Sequence, residues 1–158
     1  MGVNFVQHLL IDGANILHAW PETRELLKRD RDTARSQLIQ QVGSIHDGEQ
    51  LRVTLVFDGR GSELIVERPL GQITFSVVYT PSSLTADDVI EQYVTRSANP
   101  ADCVVATADR AEAQIVRAAG AQVISPDELA AWVQRVQKRQ DHKAEDMRRK
   151  NAQDWKKP

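Results

Sequence analysis

The chain reads as an α/β protein, a three-layer α/β/α sandwich around a mainly parallel sheet. Two observations predict this. Short apolar runs without helical spacing recur along the chain and stop at or just before an acid, as strands buried on both faces of a parallel sheet do. Between them lie segments of helical length whose apolar residues recur every three or four positions. Alternation of that kind is the pattern of a parallel sheet covered by helices.

The first run, His8-Leu9-Leu10-Ile11, stops at Asp12-Gly13-Ala14-Asn15. In an open α/β sheet the ligand crevice lies outside the carboxyl ends of the strands, so Asp12, with Asn15 close behind, is aimed at whatever the crevice holds. Ile16 to Trp20 leads to Pro21, which closes a short turn or opens the next helix as a first-turn residue. The spacing then predicts one long helix through residues 22–46. Leu27, Ala34, Leu38, Val42 and Ile45 fall on one face, and Arg24, Lys28, Arg31 and Arg35 form a basic stripe. That stripe reads either as a solvated face paired with Glu25, Asp30 and Asp32 or as a contact for phosphates.

His46 to Glu49 breaks the helix, and a second strand, Arg52 to Phe57, runs into Asp58-Gly59-Arg60-Gly61. This is a flexible turn from which Arg60 can reach a phosphate. Leu64 to Glu67 and Ile73 to Tyr79 resemble two strand pieces joined by a turn, with a pairing that is not legible. In the helix that follows, Thr85 and Asp88 are spaced as a capping box, which leaves Asp87 without a capping task, although the helix dipole alone favours an acid there. Cys103 to Thr107 is a further strand, stopping just before Asp109 and Arg110. The helix from Arg110 to Ala119 ends at Gly120, Val123-Ile124 is a last short strand, and Ser125-Pro126-Asp127-Glu128 caps a final helix through Leu129, Trp132, Val133 and Val136.

With 158 residues and 41% hydrophobic content, the expectation is one domain, residues 1–137, followed by a basic tail, residues 138–158, that is helical or disordered. A single cysteine, Cys103, rules out a disulfide framework or a multi-Cys metal site within one chain and fits a reducing compartment. Residues 1–6 lack a basic stretch before an apolar core, and no apolar run approaches the ~18 residues that span a bilayer. A soluble, cytoplasmic protein without a membrane partner is expected. The net charge of -2 is unevenly spread: from Gln134 to Pro158 nine Lys or Arg stand against four Asp or Glu, so the tail is +5 and the body -7. Such a chain can hold a cation in an acidic cleft and a polyanion along its basic arm, for which Arg135, Lys138, Arg139, Lys143, Arg148, Arg149 and Lys150 are the densest supply. The plainer alternative is a solvated helix.

An acid after a strand is ordinary, because it caps a helix or starts a turn. Asp12, Asp58 and Asp109 delivered to one sheet edge are different, since their repulsion must be offset, and a divalent cation is the usual partner. Oxygen ligands without clustered His or Cys point to Mg²⁺ or Mn²⁺ rather than zinc. Such a site lowers the pKa of a bound water and stabilises the departing oxygen of a phosphodiester, so metal-assisted phosphodiester hydrolysis is the fitting reaction class.

The ordered set Asp12-Gly13-x-Asn15, Val56-Phe57-Asp58, Thr85-Ala86-Asp87 and Thr107-x-Asp109 resembles the NYN nucleases of the PIN-like fold, in particular their small YacP-like bacterial group. The resemblance spans roughly residues 8–135. It implies a PIN-like domain acting as a metal-dependent endoribonuclease on RNA, associated with ribosomes in processing or decay. Asp12, Asp58, Asp87 and Asp109 match the acidic positions, with Asn15 and Thr107 as polar supports. Asp12, Asp87 and Asp109 are the expected metal ligands. Ala14 departs from the group, which often carries an aromatic residue there. The expected RNA contacts are Arg60, Arg110, the Arg24–Lys28–Arg31–Arg35 stripe and the basic tail.

Two other readings fit parts of the chain. A phosphoacceptor receiver would use Asp58 with Thr85, but its acidic pair at the first strand and lysine after the last are missing, since Gly13 follows Asp12 and Ser125 follows Ile124. A PIN-like module that binds RNA or a ribosome without cleaving it would not require all four acids. Oligomeric state is not legible.

Overall fold

The computed structural model describes residues 7–156. Among them the order is β1 (His8–Asp12), α1 (Gly13–Ala19), α2 (Pro21–Leu27), α3 (Arg31–Gly48), β2 (Arg52–Phe57), β3 (Ile65–Glu67), β4 (Phe75–Tyr79), α4 (Ala86–Arg96), a 3-10 turn at Pro100–Asp102, β5 (Cys103–Ala106), α5 (Arg110–Ala118), β6 (Gln122–Ile124) and α6 (Pro126–Lys156). The six strands lie in the order β3-β4-β2-β1-β5-β6, parallel except for β3, which pairs antiparallel with β4. The two pieces whose pairing the sequence left open therefore form a hairpin at the sheet's edge.

Alternation along the strands divides the core in two. Leu9, Ile11, Val53, Leu55 and Phe57 face α1, α3 and α6, against Ile16, Leu38, Val42, Leu129 and Val133. Leu10, Val56, Val78 and Val105 face α4 and α5, against Ile90, Val94 and Val116. The central strands β1, β2, β4 and β5 are thus buried on both faces, which is why β1, β2 and β5 read as continuous apolar runs, while the edge strand β3 is exposed.

The single helix expected over residues 22–46 is two helices. Asp30 leaves the helical region at φ -157°, ψ 115°, accepts from the Asp32 N–H at 3.1 Å and from the Thr33 hydroxyl at 2.7 Å, and starts α3. An Asp side chain competes for backbone N–H groups and so favours a cap over a helix interior, a preference that the apolar spacing conceals. Pro21 opens α2 as its first residue. The indole of Trp20 donates to the Pro126 carbonyl at 2.8 Å, tying the α1–α2 corner to the start of α6.

After β6, α6 begins at the carboxyl edge of the sheet and runs back along α3. Its Arg139 pairs with Glu49 just beyond the end of α3, and Gln140 donates to the Ser44 carbonyl, both near the amino edge where β2 begins. The helix continues without a break to Lys156, exposed from Asp141 through Trp155. The basic segment thus projects beyond the edge opposite the strand-end acids. No described helix is long and apolar enough to cross a membrane.

Candidate active site

The strand order reverses direction at β1, with β2 on one side and β5 on the other, so the crevice of an open α/β sheet falls at the carboxyl end of β1. Asp12 ends that strand, 2% exposed. The turn into α1 begins at Gly13, where a Cβ would collide with the Phe57 ring and the Val56 carbonyl, so only glycine lets the helix start this close to β2. Asn15, in the first turn of α1, donates its side-chain amide to Asp12 Oδ2 at 2.8 Å and its backbone N–H to Oδ1 at 3.4 Å.

Two more elements bring carboxylates to Asp12. The helix α4 starts with a reciprocal box in which Asp88 N–H donates to Thr85 Oγ1 at 3.2 Å and Thr85 N–H donates to Asp88 Oδ2 at 3.0 Å. Asp88 is thereby used, and Asp87 is left to face the crevice. From α5 comes Glu112, 2% exposed. Carboxylate oxygens of Asp12, Asp87 and Glu112 all lie within 4.8 Å of one another.

Burial, followed by the Asp12 carboxylate, pushes the Glu112 carboxyl up to about 9, while the hydrogen bond from Thr107 works the other way. Burial, then Asp12 and then Asp109, pushes Asp87 up to about 6. Thr107 donates its hydroxyl to Glu112 Oε2 at 2.7 Å and accepts the Asp109 N–H at 3.0 Å. Glu112 Oε1 is buried and receives no hydrogen bond among the described residues. A buried carboxylate oxygen left without a donor beside two further acids fits a hard divalent cation, whose charge replaces the proton that the cluster otherwise retains.

The other expected acids lie at the rim. Asp109 caps α5, its Oδ1 accepting from Ala111 N–H at 2.9 Å and Glu112 N–H at 3.3 Å, while its charge still bears on Asp87. Asp58 accepts the Ala86 N–H at 2.9 Å, joining the end of β2 to the first turn of α4 that carries Asp87. Glu112 is absent from the expected set because it stands three residues after the capping Asp109, the spacing at which a glutamate serves a capping box. The available signal was its place on the buried face of α5 with Ala113 and Val116.

Of the basic stripe, Arg31 and Arg35 line a hollow of about 260 Å³ with His18, Phe57, Asp58 and Arg60. The Arg35 guanidinium lies 4.8 Å from the Phe57 ring centroid and 5.6 Å from that of Tyr79, and donates to the Asp58 carbonyl at 3.3 Å. Arg24, exposed on α2, and Lys28, paired with Glu25 at 3.1 Å, do not line that hollow. Arg110 is exposed at the start of α5. Ala14 lines this hollow and a neighbouring one with Asn15, His18 and Ala108. Along the tail, Arg139 and Arg149 are paired with Glu49 and Glu145. No such pair holds Lys138, Lys143, Arg148 or Lys150 among the described residues.

The family model of the YacP-like NYN domain matches residues 9–158. The chain belongs to the YacP-like NYN family. A relative of this YacP-like domain, protein YacP of Bacillus subtilis (strain 168), is 31% identical over 134 residues, covering 83% of this chain and 77% of that protein. The crystal structure of Rae1 (YacP) from Bacillus subtilis superposes with a TM-score of 0.76 at 26% identity, covering 93% of this chain and 84% of that one. Its W164L mutant gives 0.74 at 28% identity, covering 89% and 82%. NYN domains are a nuclease family, so this YacP-like domain has a nuclease-type, RNA-related class of function, and its fold is the PIN-like one that the sequence predicted.

Proposed function

We propose that the protein is a metal-dependent endoribonuclease that hydrolyses phosphodiester bonds in RNA. The observation that carries this reading is the meeting of Asp12, Asp87 and Glu112 at the sheet's switch point, with Glu112 Oε1 buried and unpartnered. These three carboxylates would hold Mg²⁺ or Mn²⁺. The cation would supply charge for the attacked phosphate and a more acidic water.

The chain's own groups do the rest. Asn15 orients Asp12, Thr107 fixes the Glu112 carboxyl, Asp109 holds the first turn of α5, and Asp58 holds the first turn of α4. Arg31, Arg35 and Arg60 supply cations beside Asp58, where phosphates flanking the cleaved bond would lie. The α6 arm, at the far edge, would add affinity for RNA long enough to reach it and little for short fragments. Association with the ribosome, which the resemblance implies, belongs to this same reading and would appear as co-sedimentation.

Incubating the purified protein with a labelled RNA pool, with Mn²⁺, with Mg²⁺ and with EDTA, tests the reading. Cleavage should require a divalent ion and be lost in Asp12→Asn. Binding without cleavage under every condition would favour a non-catalytic RNA-binding module.

A further inference from the structure

A large cavity lies away from the acidic centre. The sheet face over which α4 packs carries His8, Arg52 and Thr54, and a cleft of about 590 Å³ runs alongside α4 on that face. It extends from Leu64 and Leu84, near the carboxyl edge, to His8, Arg52 and Arg96, near the amino edge. No Asp or Glu lines it. Both arginines are exposed and neither has a carboxylate partner among the described residues, so this cleft is cationic in a body whose net charge is negative.

The cleft has two chemically different ends. Leu64, 46% exposed, and Leu84 make one end apolar, while the guanidiniums of Arg52 and Arg96 make the other cationic. Between them Tyr93 meets His8 edge to face, with ring centroids 5.6 Å apart, and His8 is fixed by the Thr54 hydroxyl at 2.7 Å. Burial, with Arg52 adding to it, holds His8 down to about 4, so the positive charge of the cleft comes from the arginines alone. A volume of this size suits a small organic ligand. The wall calls for a flat apolar body joined to an anion.

We propose that the cleft alongside α4 binds a nucleoside phosphate, with the phosphate between Arg52 and Arg96 and the base against Tyr93, Leu64 and Leu84. Guanidinium pairs suit phosphate, and an aromatic face with aliphatic neighbours takes a base by stacking without reading its sequence. The ligand has two sources, a free mononucleotide or one nucleotide of an RNA strand. Neither requires turnover at the acidic centre.

The test uses the full-length protein in EDTA, which removes metal-dependent binding at the carboxylates. AMP and UMP should bind at least about ten-fold more tightly than ribose 5-phosphate or inorganic phosphate. Binding should be lost in Arg52→Gln/Arg96→Gln, weakened in Tyr93→Leu, which leaves the charge intact, and unchanged in Asp12→Asn. If mononucleotides do not bind, a single-stranded RNA oligonucleotide should lose about ten-fold in affinity in Tyr93→Leu with an unaltered salt dependence, which would assign the strand as the source. Ribose 5-phosphate binding as tightly as AMP would overturn the proposal. So would affinities for both mononucleotide and oligonucleotide that are indifferent to all of these cleft substitutions in variants that melt normally.

Discussion

Replacing Glu112 with Gln keeps the length of the side chain and an acceptor for the Thr107 hydroxyl while removing a charge that the cluster holds poorly without a cation. In metal-free protein the carboxyl is pushed from the usual 4.5 to about 9, chiefly by burial and then by Asp12. A folded-state pKa above the unfolded value places the full stabilisation below about pH 4.5, to be lost as pH rises toward about 9. At pH 7 that linkage reaches at most about 3 kcal/mol. Asp12 and Asp87 carry part of the same repulsion, so Glu112→Gln should raise metal-free stability by about 1–3 kcal/mol, or roughly 3–9 °C in Tm for a chain of 158 residues. Melting curves in EDTA between about pH 5 and 9 should therefore fall with pH for the natural protein and stay flatter for Glu112→Gln. Mn²⁺ should stabilise the first far more than the second, and cleavage should be lost in the variant. A Glu112→Gln protein that melts below the natural one in EDTA at neutral pH, or gains as much from Mn²⁺, would refute the reasoning.

Asp58→Ala removes the acceptor for the Ala86 N–H, so it should cost about 0.5–2 kcal/mol in thermal or urea melts and reduce turnover by displacing Asp87. Metal affinity, read by calorimetry, should fall less than in Asp12→Asn. Asp88→Ala should cost a similar amount of stability by opening the Thr85 box, yet retain more cleavage than Asp87→Asn; equal inactivity with an unchanged Tm would reverse the two assignments. Deleting residues 140–158 should flatten the salt dependence of binding to long single-stranded RNA, since each neutralised phosphate releases about 0.7 counterion. Turnover at saturating RNA should change little, and identical slopes for truncated and full-length protein would exclude the α6 arm as an RNA contact.

Burial on both faces leaves its mark within a few consecutive residues, so the apolar runs at β1, β2 and β5 placed Asp12 and Asp58 at strand ends, and Asp109 shortly beyond one, from sequence alone. Local chemistry was equally legible at Thr85 and Asp88, whose capping box is a matter of three-residue spacing. Where two local rules compete, spacing alone does not decide. Asp30 lay within a continuous apolar period yet splits α2 from α3, because its side chain offers the backbone a cap. Glu112 stood where a capping glutamate belongs, and only the docking of α5 beside β6 and α4 turned it instead toward Asp12 and Thr107. The direction of the basic arm was likewise a tertiary matter. Its charge is written in the residues, but that it projects beyond the edge opposite the acids follows from α6 returning along α3 to meet Glu49, and no property of the tail itself records that path.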